Sequence, residues 1–230
     1  MIQAVGVIVP AHNEQDLLPS CLRSLRRAAR ALRDTPVHLV VVADACRDRT
    51  AHLARRGGAA VITTGARSVG AARAAGAREV LRRTSHLDPA DVWLATTDAD
   101  TLVPASWLRQ QARLADQGWD AVAGTIQVAD WSGYPPRVRA EFRARYAAGR
   151  GAHPHVHGAN LGFRAAAYLA AGGFPNAPTA EDHALVTALT SAGGRVLHTR
   201  AVTVVTSARR EARAPRGFSR YLADLDAATA

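Results

Sequence analysis

The chain has 230 residues, of which 48% are hydrophobic and 21% are charged, a balance that excludes wholesale disorder and fits about one domain. No apolar run approaches the roughly 20 residues that cross a bilayer, and the N-terminus lacks the basic start of a signal peptide. Two cysteines, Cys21 and Cys46, are too few for a disulfide scaffold or a four-cysteine zinc site. These features favour a cytoplasmic protein.

All 29 basic residues are arginines, and they exceed the 19 acidic residues to give a formal net charge of +10. Arginine binds phosphate through paired hydrogen bonds, which favours a phosphate-bearing partner. Aromatic residues make up only 5%, and no zinc-finger or RNA-binding pattern occurs, which argues against nucleic acid as a partner. The arginine-rich segment 209–225 allows peripheral contact with the inner face of an anionic membrane, although a solvated surface is the more frequent meaning of such a run.

Short apolar segments alternate with stretches of helical periodicity, the pattern of a parallel α/β sheet with helices on both faces. In chain order the sequence predicts strand 5–9, helix 14–32, strand 37–43, a helix from residue 50, strand 59–63, helix 69–83, strand 92–96, helix 104–117 and strand 121–128. Beyond Trp131 the pattern is less regular, with helices at 164–171 and 181–192 and a late strand at 202–205. We expect a single domain, in which residues 1–128 bind a nucleotide and residues 129–230 form a smaller lobe.

Acidic residues stand at the carboxyl ends of two predicted strands. Asp44 follows the second strand, and Asp98 and Asp100 follow the fourth. The carboxyl ends of parallel strands face one crevice, where ligands bind, and two converging carboxylates favour a bound Mg²⁺ or Mn²⁺ ion. Acidic residues after strands are also common helix caps and turn formers, the interpretation we give to Asp48 and Asp116.

A glycine-rich segment, residues 64–77, follows the third strand and carries Arg67 and Arg73. The glycines would let the backbone approach a ligand, and the arginines could reach a phosphate. The alternative is a packing helix with solvated arginines. Neither a dinucleotide fingerprint nor a lysine-containing P-loop is present.

Two further carboxylates, Glu181 and Asp182, lie in the first turn of a predicted helix. A helix N-terminus stabilises negative charge, so these positions are ordinary helix chemistry. An ionised carboxylate held there could also act as a general base on a hydroxyl group.

The ordered set of motifs resembles family 2 glycosyltransferases, which have the nucleotide-diphosphosugar transferase (GT-A) fold. The motifs are VIVPAHNE at 7–14, VVVADACRDRT at 40–50, the segment 67–76, TTDADT at 96–101, GANLGFR at 158–164 and AED at 180–182. No single motif is decisive, but together they span nearly the whole chain in the order of the family.

The resemblance implies a Rossmann-like, mostly parallel sheet and a site built from these motifs. Pro10, Ala11 and Glu14 would line the nucleotide pocket with Arg67, and Asp44 would bind the base. Asp98 and Asp100 would serve the ribose and the metal-bridged diphosphate, beside Arg73. Asp182 would be the catalytic base, supported by Glu181.

Three features depart from the resemblance or leave it open. Segment 207–213 lacks the Q-x-x-R-W motif of processive members, which argues against a polymerising synthase. His198 could be a second metal ligand beside Asp100, or an ordinary buried or surface histidine. His153, His155 and His157 suggest a mobile acceptor-side loop rather than a metal cluster, and Trp131 could stack on a sugar or belong to the core.

The sequence therefore predicts an inverting, metal-dependent, non-processive transferase that moves a sugar from a UDP- or GDP-sugar donor to an unidentified acceptor hydroxyl. One alternative is a sugar-1-phosphate nucleotidyltransferase, which would carry a glycine-rich basic loop where this chain has residues 10–14. The other is a non-catalytic basic module that binds a membrane or nucleic acid.

Overall fold

The computed structural model of the chain describes residues 1–147, 153–177, 179–210 and 217–229. Within these ranges a single sheet contains seven strands: β1 (Ala4–Ala11), β2 (Val37–Asp44), β3 (Ala60–Thr64), β4 (Val92–Thr96), β5 (Ala121–Val128), β6 (Leu161–Arg164) and β7 (Val196–Thr206). Their spatial order is β3-β2-β1-β4-β6-β5-β7. Only β6 runs antiparallel to its neighbours, β4 and β5.

Eight helices cover the sheet within the described residues: α1 (Leu18–Ala31), α2 (Thr50–Arg56), α3 (Val69–Arg83), α4 (Trp107–Asp116), α5 (Pro136–Ala147), α6 (Ala165–Ala170), α7 (Glu181–Ser191) and α8 (Phe218–Thr229). Helices α1, α2, α4, α5 and α8 contribute to the core on one face of the sheet. Helices α3, α6 and α7 contribute to the core on the other. None of the described helices combines the length and apolar character needed to span a membrane.

The connections place a ligand site at one edge of the sheet. From β1 the chain moves outward to β2 and β3, and α3 then carries it back across the sheet to β4 on the other side of β1. Strands β1 and β4 are parallel neighbours, so the direction of winding reverses between them. In such sheets the crevice outside the carboxyl ends of the strands at this reversal is where ligands bind.

Most predicted elements of the first half are confirmed, and α3, β4 and β5 have the predicted bounds. The later elements were predicted less well. The predicted late strand at 202–205 is only the end of the longer β7. The sequence did not predict helices α5 and α8 or strand β6. Sequence periodicity could not reveal α5 because arginines are spread around it, or β6 because it has four residues.

Two open interpretations are settled by packing. Trp131 packs against the core with its ring centroid 5.3 Å from that of Phe142, and it does not line the cleft described below. Helix α8 buries Leu222 and Leu225 in the same core. The apolar face of this helix is therefore covered by the protein itself, so the described part of segment 209–225 gives the membrane hypothesis no support. Residues 211–216 of that segment lie outside the described residues.

Glycine 76 lets α3 pack closely on the sheet. A β-carbon at Gly76 would lie 2.5 Å from Cγ2 of Ile8 on β1, well inside van der Waals contact. Another glycine of the segment, Gly70, faces the backbone of Pro175 and Ala177 just as closely. These two glycines serve packing, and the approach of the backbone to a ligand in this segment stays a prediction.

We expect Gly76→Val to lower the free energy of unfolding by about 1–3 kcal/mol, because an overpacked interface forces α3 away from β1. Urea denaturation monitored by circular dichroism measures this loss. Gly65→Val is the matched control, since a β-carbon there meets no described atom within 4 Å. The control should change stability by no more than about 0.5 kcal/mol, and an equal loss in both variants would contradict the packing role.

Candidate functional site

A cleft of about 1190 Å³ opens at the carboxyl ends of β1, β2 and β4, where the topology places a ligand site. All residues predicted for nucleotide binding and catalysis line it: Pro10, Ala11, Glu14, Asp44, Arg67, Arg73, Asp98, Asp100, Glu181 and Asp182. These residues come from five separate segments of the chain. The fold thus brings the predicted set together in one cavity.

The loops after β1 and β2 form one wall of the cleft. The Asn13 side chain accepts a hydrogen bond from the Arg47 backbone at 2.8 Å, and the Thr50 hydroxyl accepts one from the Glu14 backbone at 2.8 Å. The Asp48 carboxylate accepts hydrogen bonds from the backbone of Gln15 and of Thr50, which confirms its interpretation as a turn residue. The two loops therefore hold each other in place.

Backbone strain concentrates around the cleft. Of the five described non-glycine residues with positive φ, four line it: Asn13, Ala45, Arg67 and Ala180, with φ between 49° and 60°. L-residues rarely adopt this conformation, and it persists where surrounding contacts impose it, often at functional sites.

Asp44 has its carboxylate largely engaged within the protein. Its Oδ1 accepts hydrogen bonds from the Thr64 hydroxyl at 2.8 Å and the Arg67 backbone at 3.1 Å, and its Oδ2 accepts one from the Ser68 backbone at 3.0 Å. A carboxylate has about four acceptor sites, so about one remains for a ligand. Asp44 therefore orients the start of α3 at the same time as it faces the cleft.

Arg73 lies at the centre of the site, buried on α3. Its guanidinium donates to the Asp98 carboxylate at 2.6 Å and forms a second ion pair with Glu181. Its side chain is only 4% exposed, so the alternative of a solvated arginine is wrong for this residue. Arg67, in contrast, is exposed at the rim of the cleft and contacts Asp44 through its backbone.

Gly158 joins the two halves of the site. Its backbone N–H donates to Oδ2 of Asp182 at 2.7 Å, and its carbonyl accepts a hydrogen bond from the Thr96 hydroxyl at 2.7 Å. A β-carbon at this position would overlap the Arg73 guanidinium. The second Asp182 oxygen accepts from the His183 backbone at 2.8 Å in the first turn of α7. Asp182 is thereby fixed at the edge of the cleft while it stays half-buried.

Asp100 and Glu14 share a second arginine, Arg209. Its guanidinium contacts Oε1 of Glu14 at 2.7 Å and Oδ2 of Asp100 at 3.0 Å. Burial, with a smaller contribution from the charges of Asp98 and Glu14, raises the pKa of Asp100 to about 6, against the opposing charge of Arg209. A buried carboxylate that is difficult to ionise in this way is stabilised by any cation brought to it.

The carboxylates fit a divalent ion held jointly with a ligand. No group of three or more His, Cys, Asp or Glu side chains within the described ranges is arranged to hold a metal. Asp98 and Asp100 are hard oxygen donors in the cleft, and Mg²⁺ or Mn²⁺ is commonly held by one or two carboxylates together with water and phosphate oxygens. The site therefore fits a metal that binds with a phosphate ligand rather than in a complete protein cage.

The structure does not bring His198 to this site. The residue lies within β7, beside Ala123 of β5, whereas the end of β7 that reaches the cleft is Thr206. Its ring packs 5.6 Å from that of His153, and it does not line the cleft. The expectation came from the family resemblance, and we do not retain His198 as a ligand of the metal at Asp100.

Histidines and a tyrosine form the opposite wall of the cleft. The rings of Tyr146 and His155 stack with centroids 4.2 Å apart, and the Tyr146 hydroxyl lies 2.7 Å from Nε2 of His157. The same hydroxyl accepts a hydrogen bond from the Ile126 backbone, so it donates to the neutral His157 ring. His155 and His157 line the cleft, while His153 is buried behind them.

Arg209 and Gly158 are the site residues to which sequence reasoning gave no role. The sequence analysis named Gly158 only as part of the motif GANLGFR. Its place at the start of that motif, before Asn160, was the signal that could have pointed to it. Arg209 was grouped with the other C-terminal arginines, and nothing in the sequence separates it from Arg210. Only the fold shows that Arg209 enters the cleft.

Comparison with known proteins identifies the family of these motifs. A family model described as Glycosyl transferase family 2 matches residues 6–169, well over half of the chain. No curated protein sequence matches significantly.

Solved structures share the fold. TarS 1–349 of S. aureus has a TM-score of 0.63 at 18% identity, covering 89% of this chain and 60% of that one. Mannosyltransferase PcManGT from Pyrobaculum calidifontis, in complex with GDP-Man and Mn²⁺, has a TM-score of 0.61 at 26% identity, covering 94% and 59%. Glucosyl-3-phosphoglycerate synthase from Mycobacterium tuberculosis, in complex with Mn²⁺, UDP and glucosyl-3-phosphoglycerate, has a TM-score of 0.53 at 16% identity, covering 89% and 70%. The chain spans about three fifths of the length of the TarS 1–349 and PcManGT chains.

From the contact between Tyr146 and His157 we expect a specific loss of stability in acid. Burial lowers the pKa of His157 from 6.5 to about 4, although the Asp182 charge acts to raise it. The His157 ring takes up a proton near pH 6.5 in the unfolded chain and only near pH 4 in the folded chain. The stability that the neutral ring contributes is therefore present above pH 6.5 and is lost as pH falls towards 4.

We therefore expect His157→Gln to remove on the order of 2 kcal/mol of the stability difference between pH 7 and pH 4.5. Chemical denaturation at the two pH values measures it. His52→Gln, at an exposed histidine on α2, is the control and should keep the dependence of the wild type. An unchanged pH dependence in His157→Gln would contradict the assignment.

Proposed function

The chain belongs to glycosyl transferase family 2, and from that premise we propose that it transfers a sugar from a nucleoside-diphosphate sugar to an acceptor hydroxyl. The observation that carries the proposal is the meeting of Asp98, Asp100 and Asp182 in one cleft at the reversal of the sheet. Two of these carboxylates follow a strand and the third lies in the first turn of a helix, and a shared ligand accounts for their convergence.

Residues 10–14 and Asp44 form the nucleotide end of this cleft in our proposal. Pro10 and Ala11 offer a rigid apolar surface at the end of β1, and Asp44 keeps acceptor capacity beside them. UDP and GDP are both candidates for the donor nucleotide, since the structures that share the fold include complexes with UDP and with GDP-Man. Arg67, at the rim, is suitably exposed to contact the nucleotide.

Asp98, Asp100 and Arg73 form the diphosphate end. Asp100 would hold a divalent ion, which would supply positive charge to stabilise the departing diphosphate. Asp98 keeps 38% of its side chain exposed, so it can contact the donor while it remains paired with Arg73. The Arg73 guanidinium holds Asp98 and Glu181 in place and adds positive potential beside the leaving group.

Asp182 is the proposed catalytic base, and Glu181 supports it through Arg73. The backbone N–H groups of Gly158 and His183 hold its two oxygens, so its carboxylate points in a fixed direction at the start of α7. It would accept the proton of the acceptor hydroxyl as that oxygen attacks the anomeric carbon and the bond to the diphosphate breaks. A single displacement of this kind inverts the anomeric carbon, and the absence of a Q-x-x-R-W motif at 207–213 favours non-processive transfer.

We expect Asp182→Asn to reduce transfer at least about 10²-fold, because the amide cannot accept the proton, and to leave nucleotide affinity within about twofold. Release of nucleoside diphosphate in the presence of acceptor measures transfer, and calorimetry measures nucleotide binding. The control is Asp34→Asn, at an exposed aspartate outside the cleft. Equal losses of transfer and of nucleotide binding would refute the role of Asp182 as a base.

We also expect stabilisation by one nucleoside-diphosphate series, and that it requires Mn²⁺ or Mg²⁺. Thermal shifts with UDP- and GDP-sugars, with and without the metal, measure it, and tight binding raises the melting temperature by mass action. Asp100→Asn should abolish the metal-dependent part of the shift. A shift of the same size without metal, or in Asp100→Asn, would contradict metal dependence at this site.

A further inference from the structure

Arg209 makes contacts that compete with a metal ion at Asp100. Its guanidinium spans Glu14 and Asp100, whose side chains are only 6% and 10% exposed. The contacts at 2.7 and 3.0 Å are charge-assisted hydrogen bonds, and they engage Glu14 and Oδ2 of Asp100. A cation at Asp100 would compete with Arg209 for this carboxylate.

The backbone fixes Arg209 beside Asp100. The residues that follow Asp100 pair with the end of β7: Leu102 and Val205 exchange two backbone hydrogen bonds, at 2.7 and 2.9 Å. The Thr101 hydroxyl also donates to that of Thr206 at 3.0 Å. Arg209 stands three residues beyond Thr206, so its approach to Asp100 follows from the fold.

We propose that Arg209 is a tethered cation that holds Asp100 and Glu14 until a divalent ion takes Asp100, and that the released guanidinium then binds the diphosphate of the donor. This inference rests on the proposed function, because it takes Asp100 as the metal ligand. Arg209 is a positioning residue for the metal site and a binding residue for the diphosphate.

The physical reason is that two buried carboxylates cannot remain ionised side by side without a cation. Arg209 supplies that cation from the chain. It stabilises the carboxylate pair but weakens the binding of any metal ion that must replace it. Its Nε donates to no acceptor within the described part of the chain, although it is buried. A diphosphate oxygen would satisfy this donor, and arginine forms paired hydrogen bonds to phosphate.

The neighbouring Arg210 provides a matched control. It pairs with Asp226 of α8 at 3.0 Å and does not line the cleft. Removing its charge changes the net charge of the protein as much as removing that of Arg209, but it leaves Asp100 untouched. A difference between the two variants therefore reports position rather than charge.

The test measures Mn²⁺ binding without nucleotide, by electron paramagnetic resonance of the free ion, in wild type, Arg209→Gln, Arg210→Gln and Asp100→Asn. We expect Arg209→Gln to bind Mn²⁺ about tenfold more tightly, because the competing charge-assisted hydrogen bonds are gone. Arg210→Gln should match the wild type. Affinity that is unchanged or weaker in Arg209→Gln would overturn the proposal.

The second measurement is the affinity for UDP and GDP and for the corresponding monophosphates, at saturating Mn²⁺, by calorimetry. Arg209→Gln should weaken diphosphate binding about tenfold and change monophosphate binding much less. A purely structural ion pair would not move metal and diphosphate affinity in opposite directions. If diphosphate affinity does not fall, Arg209 does not bind the diphosphate.

Arg209→Lys covers the case in which Arg209→Gln fails to fold. Lysine keeps the charge but cannot span both carboxylates, so Mn²⁺ affinity should lie between wild type and the value expected for Arg209→Gln. A value equal to that of the wild type would overturn the competition. Mn²⁺ binding by the wild type in the presence of UDP and GDP that is absent, or unaffected by Asp100→Asn, would instead reject the metal site of the proposed function.

Discussion

The buried guanidinium of Arg73 is the interaction on which the whole site depends. It ties Asp98, just after β4, to Glu181, at the start of α7, so that the first half and the later half of the chain meet at one charge. Removing one partner of such a buried pair costs about 3–5 kcal/mol, since the other charge stays uncompensated. Gly158 has no side chain to overlap the guanidinium, and its backbone N–H donates a hydrogen bond to the Asp182 carboxylate. Packing and electrostatics therefore set the position of the proposed base together.

The same region shows how the protein tolerates so many buried acids. Asp44 satisfies its charge with backbone and hydroxyl donors, Asp98 and Glu181 with Arg73, and Asp100 and Glu14 with Arg209. Each of these carboxylates is paired with donors from another segment of the chain. The pairs hold the loops around the cleft together. Burying so many acids lowers the stability of the fold but keeps the site preformed, as is common at functional sites.

The sequence predicted the first half of the fold because its strands are buried on both faces and its helices are amphipathic. It predicted the cleft for a related reason: strand ends fix where Asp44, Asp98 and Asp100 must lie. It failed where long-range contacts decide. β6 exists through pairing with β4 and β5, and His198 was misplaced because β7 continues past it to Thr206. Arg209 and Arg210 are identical neighbours in sequence, and only the pairing of Leu102 with Val205 sends the first towards Asp100.

Arg73 and Arg209, the two arginines that pair with carboxylates of the cleft, differ in how deeply they are buried. Arg73 is 4% exposed and projects from a long helix, so any motion of its guanidinium would leave the buried Glu181 and the partly exposed Asp98 without their cation. Arg209 is 23% exposed and follows the last strand, so it can exchange Asp100 for another partner while it stays beside the cleft. A buried cation can hold a site in shape but cannot respond to a ligand. A partly exposed one can do both, because water and the ligand can replace the hydrogen bonds that it gives up.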